Sequence, residues 1–252
     1  MSVLCVIPAR YGSTRFPGKP LAAETGKPLI RHVYEVASSA SRVDEVAVAT
    51  DDERIRRAVE AFGGRAVMTR PEHACGTDRV AEAAEGFPEA KIVINFQCDE
   101  PELDPRLLDR LVGVVEEDES VDLATPAVPL DAAAAADPNN VKVALAASGD
   151  ALYFSRAPIP FARDGEPSRR APLLFHVGIY CFRAEALREF AAMEQTPLER
   201  TEKLEQLRWL ERGRAIRVLV TEGRPFGINT QEDYAAFVKR WRQRKVGTGR
   251  QQ

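Results

Sequence analysis

A short apolar run, Val3 to Ile7, opens directly into Pro8-Ala9-Arg10-Tyr11-Gly12-Ser13-Thr14-Arg15-Phe16-Pro17-Gly18-Lys19-Pro20, a loop rich in glycine and cation. Glycine lets main-chain N–H groups approach phosphate oxygens, while Arg10, Arg15 and Lys19 supply charge-assisted donors along a triphosphate. Two other phosphate-binding patterns are excluded by counting. A P-loop reads Gly-x-x-x-x-Gly-Lys-Ser/Thr, whereas five residues separate Gly12 from Gly18 and Pro20 follows Lys19. The hydroxyl that would hold Mg²⁺ is therefore missing, and no Gly-x-Gly-x-x-Gly marks a dinucleotide site. A plain connection with solvated basic residues is the competing reading, but a loop this long inside a compact domain usually marks function. A second signal is Asn95-Phe96-Gln97-Cys98-Asp99-Glu100-Pro101, after the apolar run Ile92 to Phe96. Asp-Glu-Pro alone would suit an ordinary turn. Facing the same cleft as the phosphate loop, however, Asp99 can hold Mg²⁺ against nucleotide phosphates.

Positioning these groups requires strands that end together. Val3–Ile7, Val46–Thr50, Arg65–Met68 and Ile92–Phe96 read as buried strands, alternating with helices around 28–40, 52–62, 77–86 and 105–117. That order predicts a parallel sheet covered on both faces, with ligands outside the carboxyl ends of the strands. In the second half, Val121–Val128, Val141–Leu145, Leu152–Ser155 and Phe175–Phe182 read as strands with little helix between them, extending the sheet in mixed or antiparallel fashion. Five alanines within Asp131–Asp137 suit one helical turn or a surface connection. A helix is expected over 197–212, with Thr196 as N-cap, Pro197 in first position and Glu199 closing a capping box. Leu204, Leu207 and Leu210 would pack it on the sheet. A last strand, Ile216–Thr221, leads through Gly227-Ile228-Asn229 into a helix capped by Thr230 with Asp233 three residues on. No linker or repeat divides the chain, so residues 1–240 read as one α/β domain and the basic segment 241–252 as a frayed tail.

Composition narrows the function class. The 252 residues, 44% of them hydrophobic, can bury a full core. A net charge of −3 gives no general positive field for a nucleic-acid backbone. Cys5, Cys75, Cys98 and Cys181 form no Cys-x-x-Cys pair, which argues for reduced thiols rather than zinc ligands or a disulfide framework. The N-terminal run lacks a basic flank, and no stretch approaches the roughly 20 apolar residues of a membrane span. A cytoplasmic protein without nucleic-acid or membrane partners is expected.

Taken in order, Ile7-Pro-Ala-Arg-Tyr-Gly-Ser-Thr-Arg-Phe-Pro-Gly-Lys-Pro-Leu21, Ala49-Thr-Asp51, Gly76-Thr-Asp-Arg79, Asn95-Phe-Gln-Cys-Asp-Glu-Pro101, Tyr153-Phe-Ser-Arg156, His176-Val-Gly-Ile-Tyr180 and Leu204-Glu-Gln-Leu-Arg208 resemble the CMP-Kdo synthetases, or 3-deoxy-manno-octulosonate (Kdo) cytidylyltransferases, to about residue 238. The resemblance implies a single-domain Rossmann-like nucleotide-sugar transferase fold, CTP and an acid sugar as substrates, Mg²⁺ as cofactor and a homodimer. It assigns Pro8, Ala9, Arg10, Ser13, Arg15, Lys19, Gly76, Thr77 and Arg79 to the nucleotide. Gln97, Arg156, His176, Tyr180, Glu205 and Gln206 fall to the sugar, and Asp99 and Asn229 to the metal, with Lys19, Arg15 and Asp99 as the catalytic groups. Without it, His176 or Tyr180 would suit the core, and Glu205 and Gln206 a solvated helix face. Two residues depart from the family pattern: Cys98 replaces a glycine, and Asn229 replaces the second metal carboxylate. Another acid sugar such as 8-amino-Kdo, or a CTP-binding relative without turnover, therefore stay open as alternatives.

Overall fold

The computed structural model describes residues 2–12, 15–163, 171–223 and 226–248. Alternation of apolar side chains builds its central sheet. In β1 (Ser2–Pro8), Val3, Cys5 and Ile7 join the core on one face, while Leu4 and Val6 join the core on the other. A strand buried on both sides reads as a continuous apolar run for this reason. The chain continues through α1 (Leu29–Ser38), β2 (Glu45–Thr50), α2 (Glu53–Ala61), β3 (Arg65–Met68), α3 (Gly76–Ala84), β4 (Ala90–Asn95) and α4 (Arg106–Glu117). All four strands run parallel in the order β3-β2-β1-β4. The chain steps outward one way to β3, then returns to the other side of β1. At that reversal the strand carboxyl ends leave a crevice, flanked by the loops after β1 and β4.

The second half adds β5 (Leu123–Pro129), α5 (Ala132–Ala135), β6 (Lys142–Leu145), β7 (Ala151–Ser155), β8 (Leu174–His176), β9 (Tyr180–Arg183), α6 (Ala184–Ala192), α7 (Pro197–Glu202), α8 (Leu207–Glu211), β10 (Arg217–Val220) and α9 (Gln231–Thr248). Strand β9 pairs antiparallel with β4 and carries the sheet on through β5, β8, β6 and β7, with β10 parallel to β5. The result among the described residues is one mixed ten-stranded sheet, parallel in its first half as expected. Helices α1, α2 and α4 cover one face; α3, α6 and α8 cover the other. Phe16 from the phosphate loop packs with Leu29, Ile228, Tyr234, Phe237 and Val238, tying that loop to α9.

Three local expectations need correction. The single strand over Phe175–Phe182 is two, because Val177-Gly178-Ile179 leaves the ladder between β8 and β9. The single helix over 197–212 breaks into α7 and α8 at Lys203, whose φ of 54° is left-handed and cannot continue a helix. Helix α6 adds an element for which no expectation was stated, with Ala186, Leu187 and Phe190 at helical spacing on its buried face. The tail expected to fray beyond Arg240 is helical to Thr248, where Arg240 and Arg244 both pair with Glu102.

Candidate functional site

The loops after β1 and β4 meet across a cleft of about 270 Å³. Its walls include Pro8, Ala9 and Arg10 from the first loop, Gln97, Cys98 and Asp99 from the second, and Cys75 and Gly76 at the start of α3. Gly18 adopts φ 72° and its amide donates to the Tyr11 carbonyl at 2.9 Å, folding the loop back so that Arg15 and Lys19 return to the cleft. Only glycine takes that conformation without strain. Arg10 and Arg15 are exposed, free to reach a polyphosphate. Lys19 is not the surface loop residue its position suggests. It is 8% exposed, and its ammonium donates to Asp99 Oδ2 at 3.1 Å and to the Ile228 carbonyl at 2.8 Å. Burial works against its charge, but Asp99 outweighs it and holds the pKa above the ordinary lysine value. Arg79 lines the cleft with its guanidinium anchored to Thr69 Oγ1 and Asp51 Oδ2. Ser13 lies outside the described residues.

Asp99 and Asn229 border the same cleft, one from the end of β4 and one from the approach to α9. They are drawn together by the Ile228 amide, which donates to the Asp99 carbonyl at 2.8 Å. Arg15 Nη2 donates to Asn229 Oδ1 at 2.9 Å, so that oxygen points at the phosphate loop. The Asn229 and Thr230 amides both donate to Asp233 Oδ2 while the Asp233 amide donates to Thr230 Oγ1, so Thr230 caps α9 with Asp233 three residues on, as the sequence predicts. Asn229 thus serves the turn with its backbone and the cleft with its side chain. One carboxylate and one amide oxygen are hard donors suited to Mg²⁺, which is held by few protein ligands and completed by substrate phosphates. No group of three or more His, Cys, Asp or Glu that could hold a metal ion occurs among the described residues. Burial pushes the Cys98 thiol up to about 11 with Lys19 opposing, so Cys98 stays protonated beside Asp99 at neutral pH.

A second cleft, about 510 Å³, adjoins the first and shares Cys75, Gly76 and Gln97 with it. Arg156, His176, Tyr180, Glu205 and Gln206 all line it, so the structure gathers every residue assigned to the sugar around one cavity. The break between α7 and α8 makes this possible, since an unbroken helix would carry Glu205 and Gln206 on adjacent faces. Arg208 fixes the break: it grips Glu199 with two bonds of 2.9 and 2.8 Å and reaches Asp78 on α3 at 3.1 Å. Its side chain is buried with the guanidinium over the Phe190 ring, a role that sequence reading missed. Arg156 donates to the carbonyls of Glu202, Pro138 and Lys203. Three of its five N–H groups are so engaged, leaving two for a ligand carboxylate.

Tyr180 Oη donates to Gln206 Oε1 at 3.1 Å, and His176 Nε2 meets the Thr125 hydroxyl at 2.9 Å. The Thr125 hydroxyl donates its one proton to the Ile179 carbonyl at 2.7 Å, with the Val177 carbonyl farther off at 3.2 Å, in the turn between β8 and β9. Burial lowers the His176 pKa from 6.5 to about 3, so the ring is neutral in the folded protein. Between those values the unfolded chain binds a proton that folded His176 refuses. Its contribution to stability is therefore complete above 6.5 and is lost as the pH falls towards 3. Melting curves at neutral and mildly acid pH should show a smaller acid-induced drop for His176→Gln than for the native chain; equal drops would refute the assignment.

Thr77 departs from its expected place. Its side chain is 1% exposed and its hydroxyl donates to Glu205 Oε1 at 2.5 Å, so it braces the second cleft rather than facing the first. Burial raises the Glu205 pKa, opposed by its bonds from Cys75 and Thr77.

With this geometry, comparison with known proteins gives one answer. Residues 4–216 match the family described as cytidylyltransferase. The chain is 52% identical over 236 residues to the 3-deoxy-manno-octulosonate cytidylyltransferase of Nitratidesulfovibrio vulgaris strain Hildenborough, covering 92% of this chain and 93% of that one. Against the protein of that name from Myxococcus xanthus it is 54% identical over 215 residues, covering 85% and 86%. The structure of a CMP:2-keto-3-deoxy-manno-octonic acid synthetase complexed with CTP superposes with a TM-score of 0.91 at 43% identity, over 97% of this chain and 100% of that one. The 4-diphosphocytidyl-2C-methyl-D-erythritol synthase of Anaerococcus prevotii, with a TM-score of 0.62 and 14% identity over 96% and 98% of the two chains, shares the fold. The chain belongs to the 3-deoxy-manno-octulosonate cytidylyltransferase family.

Proposed function

We propose that this protein transfers CMP from CTP to the anomeric hydroxyl of Kdo, activating the sugar for lipopolysaccharide or surface-polysaccharide synthesis in the cytoplasm. The observation that carries this reading is a cationic nucleotide cleft sharing one wall with a larger polar cleft. In the reaction, the sugar oxygen bonds to the α-phosphorus, the bond to the bridging oxygen breaks, pyrophosphate leaves and the hydroxyl proton passes to solvent. No protein nucleophile is needed, since positioning and charge neutralisation carry nucleotidyl transfer.

Arg10, Arg15 and Lys19 align the triphosphate, the last two offsetting charge on the leaving pyrophosphate. Arg156 receives the sugar carboxylate, while Gln97, His176, Tyr180, Glu205 and Gln206 surround its hydroxyls. Mg²⁺ held by Asp99 and Asn229 would supply positive charge to the phosphates at the point of attack. Residues 1–240 form the catalytic unit on this reading, with the basic segment 241–252 as its C-terminal tail. A homodimer is supported by Leu152 on edge strand β7 and by Phe161, 63% and 86% exposed.

Nucleotide choice tests the reading. The narrow space between Pro8-Ala9-Arg10 and Gly76 suits a pyrimidine, so CTP should support pyrophosphate release on the order of 100-fold better than ATP or GTP, as a cleft rejects an oversized ring. Comparable turnover with ATP would contradict it.

A further inference from the structure

The wall between the clefts is wired from inside. Asn95 Nδ2 donates to Thr77 Oγ1 at 2.9 Å, and Gln97 Nε2 donates to Asn95 Oδ1 at 2.9 Å. Asn95 and Thr77 are 0% and 1% exposed, so bulk water does not compete for these bonds. A hydroxyl carries one proton, and the 2.5 Å contact commits that of Thr77 to the Glu205 carboxylate. Thr77 can then only accept from Asn95, which must present its NH₂ there and its carbonyl oxygen to Gln97. That oxygen accepts only, so Gln97 turns its NH₂ inward. The Gln97 amide packs beside Gly76, where a Cβ would stand 3.5 Å from Nε2 and 3.9 Å from Oε1. The atom left for a ligand is Oε1.

We propose that Thr77 and Asn95 are positioning residues that lock Gln97 with its carbonyl oxygen outward, making it an acceptor-only reader of a substrate hydroxyl where the two clefts meet. Glu205 thereby acts at a distance: as an acceptor at one end of the relay, it dictates an acceptor at the other. A substrate presenting an O–H at that point is welcomed, and one presenting an ether or carbonyl oxygen is refused. The inference rests on the second cleft being the acid-sugar site.

Two measurements test it separately from that reading. In the ¹⁵N-labelled native protein without substrate, the side-chain amide protons of Gln97 should exchange slowly with solvent, and in Thr77→Val quickly. In steady-state assays with CTP and Kdo, Thr77→Val should raise the sugar KM by about tenfold or more, the effect of losing an anchor to a charged group. The Kd for CTP alone should stay unchanged, and Thr77→Ser should restore the sugar KM. Fast exchange of the Gln97 amide in the native protein, an equal weakening of CTP binding, or a folded Thr77→Ser that fails to rescue would each overturn the relay. Absence of turnover in the native enzyme would instead refute the acid-sugar reading, leaving the amide exchange to decide the relay.

Discussion

Replacing Asp99 with asparagine should lower turnover by about 1,000-fold or more, the order expected when several kcal/mol of charge stabilisation leaves a metal-assisted step. Asp99 is the one carboxylate of the Asp99–Asn229 pair, and its Oδ2 also receives the Lys19 ammonium at 3.1 Å. Asparagine keeps the shape and can still accept from Lys19, so melting temperature should change little while rate collapses. The reverse substitution, Asn229→Asp, adds a charge where Arg15 already donates at 2.9 Å. Magnesium titrations should then saturate at lower concentration than in the native enzyme. Overlapping titration curves would reduce Asn229 to its turn role ahead of Thr230, and near-native turnover in Asp99→Asn would remove the metal site from the account.

Lys19→Ala should reduce kcat by about 100- to 1,000-fold, the loss seen when one group aimed at developing charge is removed. Because Lys19 is buried against Asp99 and the Ile228 carbonyl, this variant should also lose about 1–3 kcal/mol of stability as those acceptors lose their partner. Arg15→Ala separates the two effects. Arg15 is exposed, and truncating an exposed side chain changes stability by about 0.5 kcal/mol or less. A large rate loss with an unchanged melt is therefore expected there. Unchanged rates in both variants would return the loop after β1 to an ordinary connection.

What the sequence made legible follows from which signals are local. The phosphate loop and Asp99 declared themselves because each sits at the carboxyl end of a strand whose apolar run is plain, and strand order then brings the two ends together. Thr230 and Asp233 were readable because a cap involves neighbours in the chain. Arg208 was not readable, since its partners Glu199 and Asp78 lie on two other helices. The break after Lys203 also escaped, because Leu204, Leu207 and Leu210 keep a helical spacing across residues 204–206, which belong to neither helix. The burial of Lys19 and the inward turn of Thr77 depend on partners 209 and 128 residues away, Ile228 and Glu205. Distance in sequence hides contacts that the sheet makes short.

Pyrophosphate release from CTP, Mg²⁺ and Kdo is the decisive measurement. Release should depend on the sugar, match it mole for mole and yield CMP-Kdo. Binding of CTP with no sugar-dependent pyrophosphate would contradict CMP transfer to Kdo.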